Sequence, residues 1–196
     1  MRLCSYIVKN DKGLAPNPFW GYCTLAVCTP NHMGIRAKPG DWFLGATTAA
    51  RDHKLVYAME VSEILKFDDY FIDPRFEKKK PAVDGTWRQR CGDNIYYRKN
   101  EKWCQLESPY HNSESDLRKD TEHPYVFISK NFYYFGNKAY ELPLNFQALI
   151  WNKQGCKCDH DPDIVKSFIK WLKDNFKPGK DGEPIDRDVK LCKSKC

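Results

Sequence analysis

The 196-residue sequence predicts one α+β domain, in which a C-terminal helix packs on a mostly antiparallel sheet or a small β-barrel. Short runs rich in β-branched and aromatic residues recur along the chain, separated by the Gly, Pro, Asn and Asp clusters that are typical of turns. One stretch near the C-terminus has apolar residues at the 3–4 spacing of a helix. Hydrophobic residues are 41% of the chain and charged residues 30%, which is enough for one core and excludes wholesale disorder.

The N-terminal third is predicted to contain the first strands. Leu3–Val8 and Gly21–Cys28 are β-prone runs joined by a proline-stiffened loop. A Pro-Gly turn then leads into a strand at residues 41–44. The run Leu55–Ile64 alternates well enough to predict one long strand.

The middle of the chain is predicted to hold a helical turn, a basic loop and several short strands. Phe67–Phe71 favours a short helical turn that Pro74 ends. Arg75–Arg90 has six basic residues against two acidic ones and no apolar periodicity, so we expect a loop. The polar segment Ser108–Pro124 is expected to be irregular. Further strand candidates are Asn94–Tyr97, Tyr125–Ser129, Phe132–Phe135 and Ala139–Leu142.

The clearest helix signal lies at Asp161 and Pro162. Asp is a favourable N-cap residue and Pro suits the first helical position, and apolar residues follow at 3–4 spacing up to Phe176. The chain beyond is charged and contains Gly and Pro. We therefore assign residues 1–176 to the domain and expect residues 177–196 to form a poorly ordered or late-docking tail.

The net charge and the absence of targeting signals limit the function classes. A formal charge of +6 permits a nucleotide or nucleic-acid partner but is far below that of a dedicated DNA-coating protein. No run approaches the roughly 18 apolar residues that span a bilayer, and Met1–Asn10 lacks a secretory signal. We therefore expect a cytoplasmic protein with no membrane partner. The nine cysteines, an odd number, then favour mostly reduced thiols over a disulfide framework.

Aromatic residues make up 14% of the chain, and several of them crowd one loop beside two prolines. Phe19, Trp20 and Tyr22 lie at a predicted strand end, where such rings can sandwich a base. The Asn17 amide can both donate to and accept from a base edge. Trp42 follows a turn and is a further stacking candidate. The alternative is that these rings belong to the core or close the end of a barrel.

Asp93 and His111 are candidate acid–base residues. Arg88 and Arg90 lie just upstream of Asp93, and histidine exchanges protons near neutral pH. Such a set could act on a phosphorylated or heterocyclic substrate. The alternative is that Asp93 belongs to a capping turn before a strand.

The cysteines near the C-terminus raise the question of a zinc site. Cys156, Cys158, Cys192 and Cys196, with His160 nearby, could supply four ligands, but neither pair has the usual two-residue spacing. Ordinary thiols are therefore favoured, and we expect no metal and no other cofactor. The sequence also lacks the phosphate-binding glycine loop, the His-Glu-x-x-His motif and the nucleophile elbow, which argues against the common nucleotide hydrolases and metalloproteases.

Five motifs, taken in order, resemble one known family. They are Asn17-Pro18-Phe19-Trp20-Gly21, Gly40-Asp41-Trp42, Val56-Tyr57-Ala58-Met59 leading through Phe67 and Tyr70 to Arg75-Phe76, Asp93-Asn94-Ile95-Tyr96, and Val126-Phe127-Ile128-Ser129 with Phe132-Tyr133-Tyr134-Phe135-Gly136. Over residues 3–175 the chain is similar to the nucleotide modification associated domain, type 2, of bacterial and phage proteins. The resemblance implies a link to nucleotide or DNA modification in phage–host conflict and no settled activity. A weaker similarity, through the Gly40-Asp41-Trp42 turn, is to PUA-like and EVE-like barrels that bind modified bases.

These observations lead to the hypothesis of a nucleotide- or modified-base-recognition domain, with a nucleotide or nucleic acid as partner. The rings would stack on a base, the amides would read its polar edges and the cations would neutralise phosphate. The candidate binding residues are Asn17, Phe19, Trp20, Tyr22, Trp42, Arg75, Asn94, Tyr96 and Lys157. The alternative is an enzyme that modifies nucleotides or DNA bases, with Asp93 and His111 as its acid–base residues. The sequence predicts no oligomeric state.

Overall fold

The strands follow most of the β-prone runs of the sequence. A computed structural model describes residues 1–27 and 35–187. Its strands are β1 (Leu3–Ile7), β2 (Cys23–Leu25), β3 (Trp42–Ala46), β4 (Leu55–Glu60), β5 (Glu63–Lys66), β6 (Tyr96–Lys99), β7 (Lys102–Gln105), β8 (Tyr125–Ser129), β9 (Asn131–Tyr134), β10 (Cys156–Lys157) and β11 (Gly179–Lys180).

The strands assemble into a six-stranded sheet, a three-stranded sheet and a two-stranded hairpin. The larger sheet has the order β10-β1-β3-β4-β9-β11, in which β1 pairs with β3, and β9 with β11, in parallel. Its other pairs are antiparallel, as are those of the β2-β8-β5 sheet and the β6–β7 hairpin. Across the described residues both sheets are open. The predicted α+β class with a mostly antiparallel sheet is therefore confirmed. The alternative prediction, a small PUA-like β-barrel, is wrong, since the sheets of the described residues do not close.

The helices are short except for the last one. They are α1 (Phe67–Ile72), α2 (Trp87–Arg90), α3 (Glu114–Thr121) and α4 (Pro162–Asn175), with 3-10 helices at Ala49–Arg51, Pro74–Lys79, Gly136–Lys138 and Leu144–Leu149. None of the helices in the described ranges has the length and apolar character needed to cross a bilayer.

The predicted C-terminal helix is confirmed as α4. The carboxylate of Asp161 accepts hydrogen bonds from the backbone N–H of Asp163 at 2.8 Å and of Ile164 at 3.1 Å, and thereby caps the helix. One face of α4 is buried against the six-stranded sheet. The buried residues of that face are Val165, Phe168, Ile169 and Leu172.

Alternation along the strands divides the core into three apolar clusters. On β1, Leu3 packs with α4, whereas Cys4 and Tyr6 face the three-stranded sheet. On β8, Val126 and Ile128 turn to the opposite side and pack with α1 and the hairpin. The layers therefore run from α4 through the six-stranded and three-stranded sheets to α1 with the β6–β7 hairpin.

Two predictions near the basic segment were wrong. The run Leu55–Ile64 is two strands, because the chain leaves the six-stranded sheet after Glu60 and joins the three-stranded sheet at Glu63. The predicted loop Arg75–Arg90 contains most of one 3-10 helix and the short helix α2, which a capping box at Thr86 begins.

Two further predictions in the second half of the chain were wrong. Ser108–Pro124 contains α3, whose N-cap Ser113 forms a capping box with Asp116. The predicted strand Ala139–Leu142 is irregular, with one isolated bridge from Tyr140 to β4. The capping box of α3 is local, whereas Tyr140 bonds to the distant Leu55, and apolar periodicity reveals neither arrangement.

Residues 177–187 of the predicted tail dock on the domain, as its docking alternative describes. Gly179 and Lys180 form β11 beside β9. The backbone N–H of Asp186 donates to the Asp11 carbonyl at 2.8 Å, and the Asp11 N–H donates to the Asp186 carboxylate at 2.8 Å. Pairing with residues distant in sequence thus orders this charged segment. The remainder of the predicted tail, residues 188–196, lies outside the described residues.

Candidate functional site

A buried lysine holds the loop that carries the predicted aromatic cluster. Lys79 is 0% exposed. Its Nζ lies 2.8 Å from the carbonyl oxygen of Asn17, 2.9 Å from Asn17 Oδ1, 2.9 Å from the carbonyl oxygen of Tyr22 and 2.9 Å from Thr24 Oγ1. The ammonium therefore binds both ends of the loop from Asn17 to Thr24 and holds them together from the protein interior.

Asp93, a predicted catalytic residue, belongs to the same buried network. Thr24 Oγ1 donates to one carboxylate oxygen at 2.5 Å and Tyr70 OH donates to the other at 2.8 Å. Burial raises the pKa of Asp93, while the positive charge of Lys79 opposes that shift. Burial also disfavours the charged form of Lys79, and therefore lowers its pKa to about 8. Since Asp93 is 1% exposed and engaged at both oxygens, its arrangement is that of a structural group.

Three further residues predicted to bind a nucleotide are also buried. Asn17 Nδ2 donates to the Cys91 carbonyl at 2.8 Å, and Asn94 Nδ2 donates to the Tyr70 carbonyl at 3.0 Å. Tyr96 is 2% exposed and its OH donates to the carboxylate of another residue, Asp120, at 2.8 Å. These side chains therefore organise the interior beneath the site and offer no surface to a ligand.

Trp42 and Lys157 lie away from the loop cluster. Trp42 is 1% exposed in the core, where its ring is stacked with that of Tyr133 at a centroid distance of 6.5 Å. No ring face is left for a base, so the core alternative describes this residue. Lys157 is half-buried on β10, with its Nζ 5.9 Å from the ring centroid of Trp151.

Arg75 is exposed, but two carboxylates hold its guanidinium. One terminal nitrogen lies 2.8 Å from Glu63 Oε2 and the other lies 2.6 Å from Asp73 Oδ2. These ion pairs raise the pKa of Arg75 above its usual value and lower that of Asp73. A phosphate would have to displace both carboxylates, so the geometry does not favour Arg75 as a phosphate ligand.

Trp20 and Phe19 line an open cleft, here called the Trp20 cleft. Trp20 is 36% exposed and has a φ of +63°, which a bulky side chain adopts rarely. Phe19 lies beneath it, at a centroid distance of 6.5 Å. The cleft has a volume of about 390 Å³, and its other walls include Arg88, Lys130, Phe132 and Lys180.

Positive charge exceeds negative charge at the Trp20 cleft. Arg88 and Lys180 share the carboxylate of Glu183 through Oε1, at 2.7 and 2.8 Å. Both cations lower the pKa of Glu183. Lys130 forms no ion pair with a described residue and has its Nζ 5.8 Å from the ring centroid of Tyr22. Among the described residues, two of the three cations share one carboxylate and Lys130 forms no ion pair, beside an exposed indole ring.

The second candidate acid–base residue, His111, contacts a carboxylate other than that of Asp93. Its Nδ1 lies 2.7 Å from Oδ2 of Asp120, and the same oxygen accepts the hydrogen bond from Tyr96. Asp93 instead contacts Thr24 and Tyr70. The structure therefore joins His111 to a carboxylate that the sequence analysis did not single out.

A second cleft lies at His111, and we call it the lysine cleft. Its volume is about 340 Å³, and none of its lining residues is shared with the Trp20 cleft. Three exposed lysines and two tyrosines line it together with His111. They are Lys9, Lys12, Lys153, Tyr6 and Tyr110.

The cysteines differ in part from the expectation of reduced thiols. Cys4 and Cys158 form a disulfide between β1 and the residue after β10, whereas Cys156 is free. His160 Nε2 lies 2.9 Å from Ser5 Oγ. Within residues 1–27 and 35–187, no group of three His, Cys, Asp or Glu side chains is placed to hold a metal ion. The second pair of the considered zinc set, at 192 and 196, lies outside the described residues.

Several residues of these sites were missed by sequence reasoning. Asp120 lies in α3, where the sequence has no apolar stripe, and Lys180 lies in the predicted tail. Lys79 lies in the segment predicted as a basic loop. One signal could have found it: Asp73-Pro74 is a helix start of the kind seen before α4, and a turn from there places Phe76 and Lys79 three residues apart on one face.

The comparisons with known proteins identify the family. No curated protein and no solved structure matches the chain. One family model does match, over residues 1–191, and its description is nucleotide modification associated domain 2. A match over nearly the whole chain agrees with the resemblance of its motifs, and the chain therefore belongs to the nucleotide modification associated domain 2 family.

Proposed function

We propose that this domain recognises a nucleotide or a modified base, and that the base binds in the Trp20 cleft. The observation that carries the proposal is an indole ring, 36% exposed, held on a left-handed backbone beside three cations. A ring of this kind provides a stacking face for any base, and the cations suit a phosphate. The family assignment agrees with a ligand of this class.

The backbone at Trp20 supports a role in binding. A left-handed conformation costs a non-glycine residue roughly 1–2 kcal/mol. Residues with such strain are concentrated at ligand-binding and active sites, where the surrounding structure maintains the conformation. Here Lys79 and Asn17 maintain the conformation of the loop from below, so the ring is positioned before a ligand binds.

A fluorescence and thermal-shift titration tests the proposal. The ligands are nucleoside monophosphates with unmodified and modified bases, and a short single-stranded DNA. We expect Trp20→Gly to weaken binding of the recognised ligand by about 5- to 150-fold, which corresponds to a stacking contribution of about 1–3 kcal/mol. Glycine adopts φ +63° without strain, so the variant keeps the loop conformation. Trp20→Phe retains a ring and is expected to bind with intermediate affinity.

Tyr125→Ala is the matched control for the loss of an exposed ring. Tyr125 is 49% exposed at the start of β8 and lines neither cleft. We expect this variant to bind as the wild type does. The proposal is rejected if no ligand of the panel changes the fluorescence or the melting temperature. It is also rejected if Trp20→Gly binds the ligand as well as Tyr125→Ala does.

A second candidate function is nucleotide or base modification at His111. It is favoured by the contact of His111 Nδ1 with Asp120, since a carboxylate that orients a histidine ring is a common feature of acid–base sites. In this version Asp120 replaces Asp93 as the partner residue. The histidine would exchange a proton with a substrate bound in the lysine cleft.

Mass spectrometry of nucleotide pools and DNA incubated with the protein tests this second function. If a product forms, we expect Asp120→Asn to lower its rate about a hundredfold with little change in substrate affinity. Asp93→Asn, by contrast, is expected to act through stability. The absence of any mass change in both substrate classes would reject the enzyme hypothesis while leaving the binding proposal intact.

A further inference from the structure

The lysine cleft combines concave shape with positive charge. We propose that it is a second ligand-binding site, which takes the phosphate groups of a nucleotide or a nucleic-acid strand. The inference does not depend on the functions proposed above, since phosphate binding here requires neither a base in the Trp20 cleft nor proton transfer by His111.

Among the described residues no carboxylate lies in direct ion-pair contact with the three lysines, and the charge of Lys12 helps to lower the pKa of Asp186. Lys9, Lys12 and Lys153 are exposed, and none of them forms an ion pair with a described residue. Lys12 instead lies 5.0 Å from the ring centroid of Tyr110. In the Trp20 cleft, by contrast, two of the three cations already bind Glu183. Several like charges that converge on one concavity favour an anion with more than one negative charge.

The wall that carries Lys9 and Lys12 is fixed from behind. Between them, the Asp11 carboxylate turns into the protein, where Tyr134 OH donates to it at 2.8 Å and the Ile185 N–H donates at 3.1 Å. Asp11 therefore anchors the loop without contributing its carboxylate to the cleft. The backbone carbonyl of Lys12 also accepts a hydrogen bond from the Cys91 thiol at 3.1 Å.

The other walls are fixed as well. Lys153 belongs to the segment just before β10, which pairs with β1 and is joined to it by the Cys4–Cys158 disulfide. His111 is held by Asp120. The lysines therefore project from a preformed surface, which reduces the ordering cost of binding.

The size and the side chains of the cleft indicate the class of ligand. A volume of about 340 Å³ is in the range of small-molecule sites. Lysine binds phosphate as a point charge, and the cleft has no arginine for the planar recognition of a carboxylate. The exposed amides of Asn10 and Gln154 can bind the remaining oxygens. A diphosphate or two neighbouring phosphodiesters would match these groups.

Calorimetric titration of the wild-type protein with inorganic pyrophosphate tests the site. We expect binding, and we expect the triple variant K9Q/K12Q/K153Q to bind about a hundredfold more weakly, because each of the three exposed charge contacts is worth about fivefold in affinity. The lysines are exposed and form no ion pair with a described residue, so the variant is expected to fold. Competition by a nucleoside triphosphate would assign the site to free nucleotides, and competition by single-stranded DNA alone would assign it to a strand.

The matched control removes the same charge elsewhere. K138Q/K166Q/K170Q also removes three exposed lysines, each of which lies in an exposed ion pair and is not among the residues that line the cleft. We expect it to bind pyrophosphate within about twofold of wild type. The proposal is overturned if wild type binds neither pyrophosphate nor DNA at millimolar concentration, or if both triple variants lose affinity equally. Trp20→Gly should leave pyrophosphate binding unchanged, which separates this result from that for the Trp20 cleft.

Discussion

Substitution of the buried lysine is the sharpest test of how the loop is held. Lys79→Met keeps most of the side-chain volume but removes the ammonium that lies within 2.9 Å of four oxygens. It also leaves the Asp93 carboxylate without the nearby positive charge. Breaking a buried charge pair on one side costs about 3–5 kcal/mol, which is a large part of the 5–15 kcal/mol typical of a domain. We expect a loss of that size in the free energy of unfolding, measured by urea denaturation.

The pH dependence of the same variant gives an independent reading. Burial lowers the pKa of Lys79 from 10.5 to about 8, so between these values the unfolded chain binds more protons than the folded one. Wild-type stability therefore rises with pH in this window relative to Lys79→Met, by about 2 kcal/mol from pH 8 to pH 10. Burial raises the pKa of Cys23 to about 12 and opposes the rise in both proteins, so the difference between them is the quantity to measure.

Two further variants decide whether the reasoning is right. Lys78→Met changes the neighbouring exposed lysine and is expected to alter stability by no more than about 0.5 kcal/mol. The double variant Lys79→Met/Asp93→Asn removes both charges and should cost less than the sum of the single changes. The reasoning is refuted if Lys79→Met costs less than about 1 kcal/mol, or if its effect and that of Asp93→Asn are additive.

Three other predictions concern the core, the acid range and the disulfide. Trp42→Ala should cost about 3–5 kcal/mol in urea unfolding as a core residue, whereas a base-stacking Trp42 would lower ligand affinity without that loss. Burial raises the pKa of Asp11 to about 6, so its contribution to the free energy of unfolding falls by about 2–3 kcal/mol from pH 4 to pH 7. Asp11→Asn should lack this fall. If wild type and variant show parallel curves of stability against pH, the prediction is contradicted. The Cys4–Cys158 disulfide joins residues 154 positions apart, so its reduction should lower the melting temperature of the wild-type protein. The variant C4S/C158S should not respond to the reductant. An equal response of both proteins would contradict the pairing.

The sequence predicted those elements whose signals are local. The helix α4 has its cap, its proline and its apolar spacing within one stretch, and the structure confirms it. The strand β8 coincides with the predicted run Tyr125–Ser129. Both elements carry a continuous apolar pattern with clear boundaries, so neither needs distant residues for its identification.

The remaining elements depend on contacts between distant residues. The short strand β11 exists through its pairing with β9, and its own sequence is charged and glycine-containing. The α3 helix has a capping box but little apolar content, so its polar composition predicted a loop. Propensity and periodicity are weak where an element is held by hydrogen bonds to another part of the fold.

The candidate site likewise has some residues that the sequence predicted and others that depend on contacts between distant residues. The sequence identified the ring-rich loop and predicted that Trp20 binds a ligand, but it could not tell which rings face solvent. Trp20 lies in a loop and Trp42 lies directly after a turn, so the two have similar local sequence contexts. The register of β3 nevertheless directs the Trp42 side chain into the core. The burial of Lys79 is likewise a tertiary effect, because three neighbouring lysines have the same local sequence context and only one lies under the Asn17 turn.

One loop connects these features, because the chain between β1 and β2 contributes to both clefts. Its first part carries Lys9 and Lys12 and is anchored through Asp11, and its last part carries Trp20 and is anchored through Asn17. Each anchor is a buried polar contact with a distant residue, so the shape of each cleft depends on the folded core. The anchors use different partners, since Tyr134 of β9 holds the first and Lys79 holds the second. A defect in one anchor should therefore disturb its own cleft, and the two proposed binding sites should be separable by mutation within a single loop.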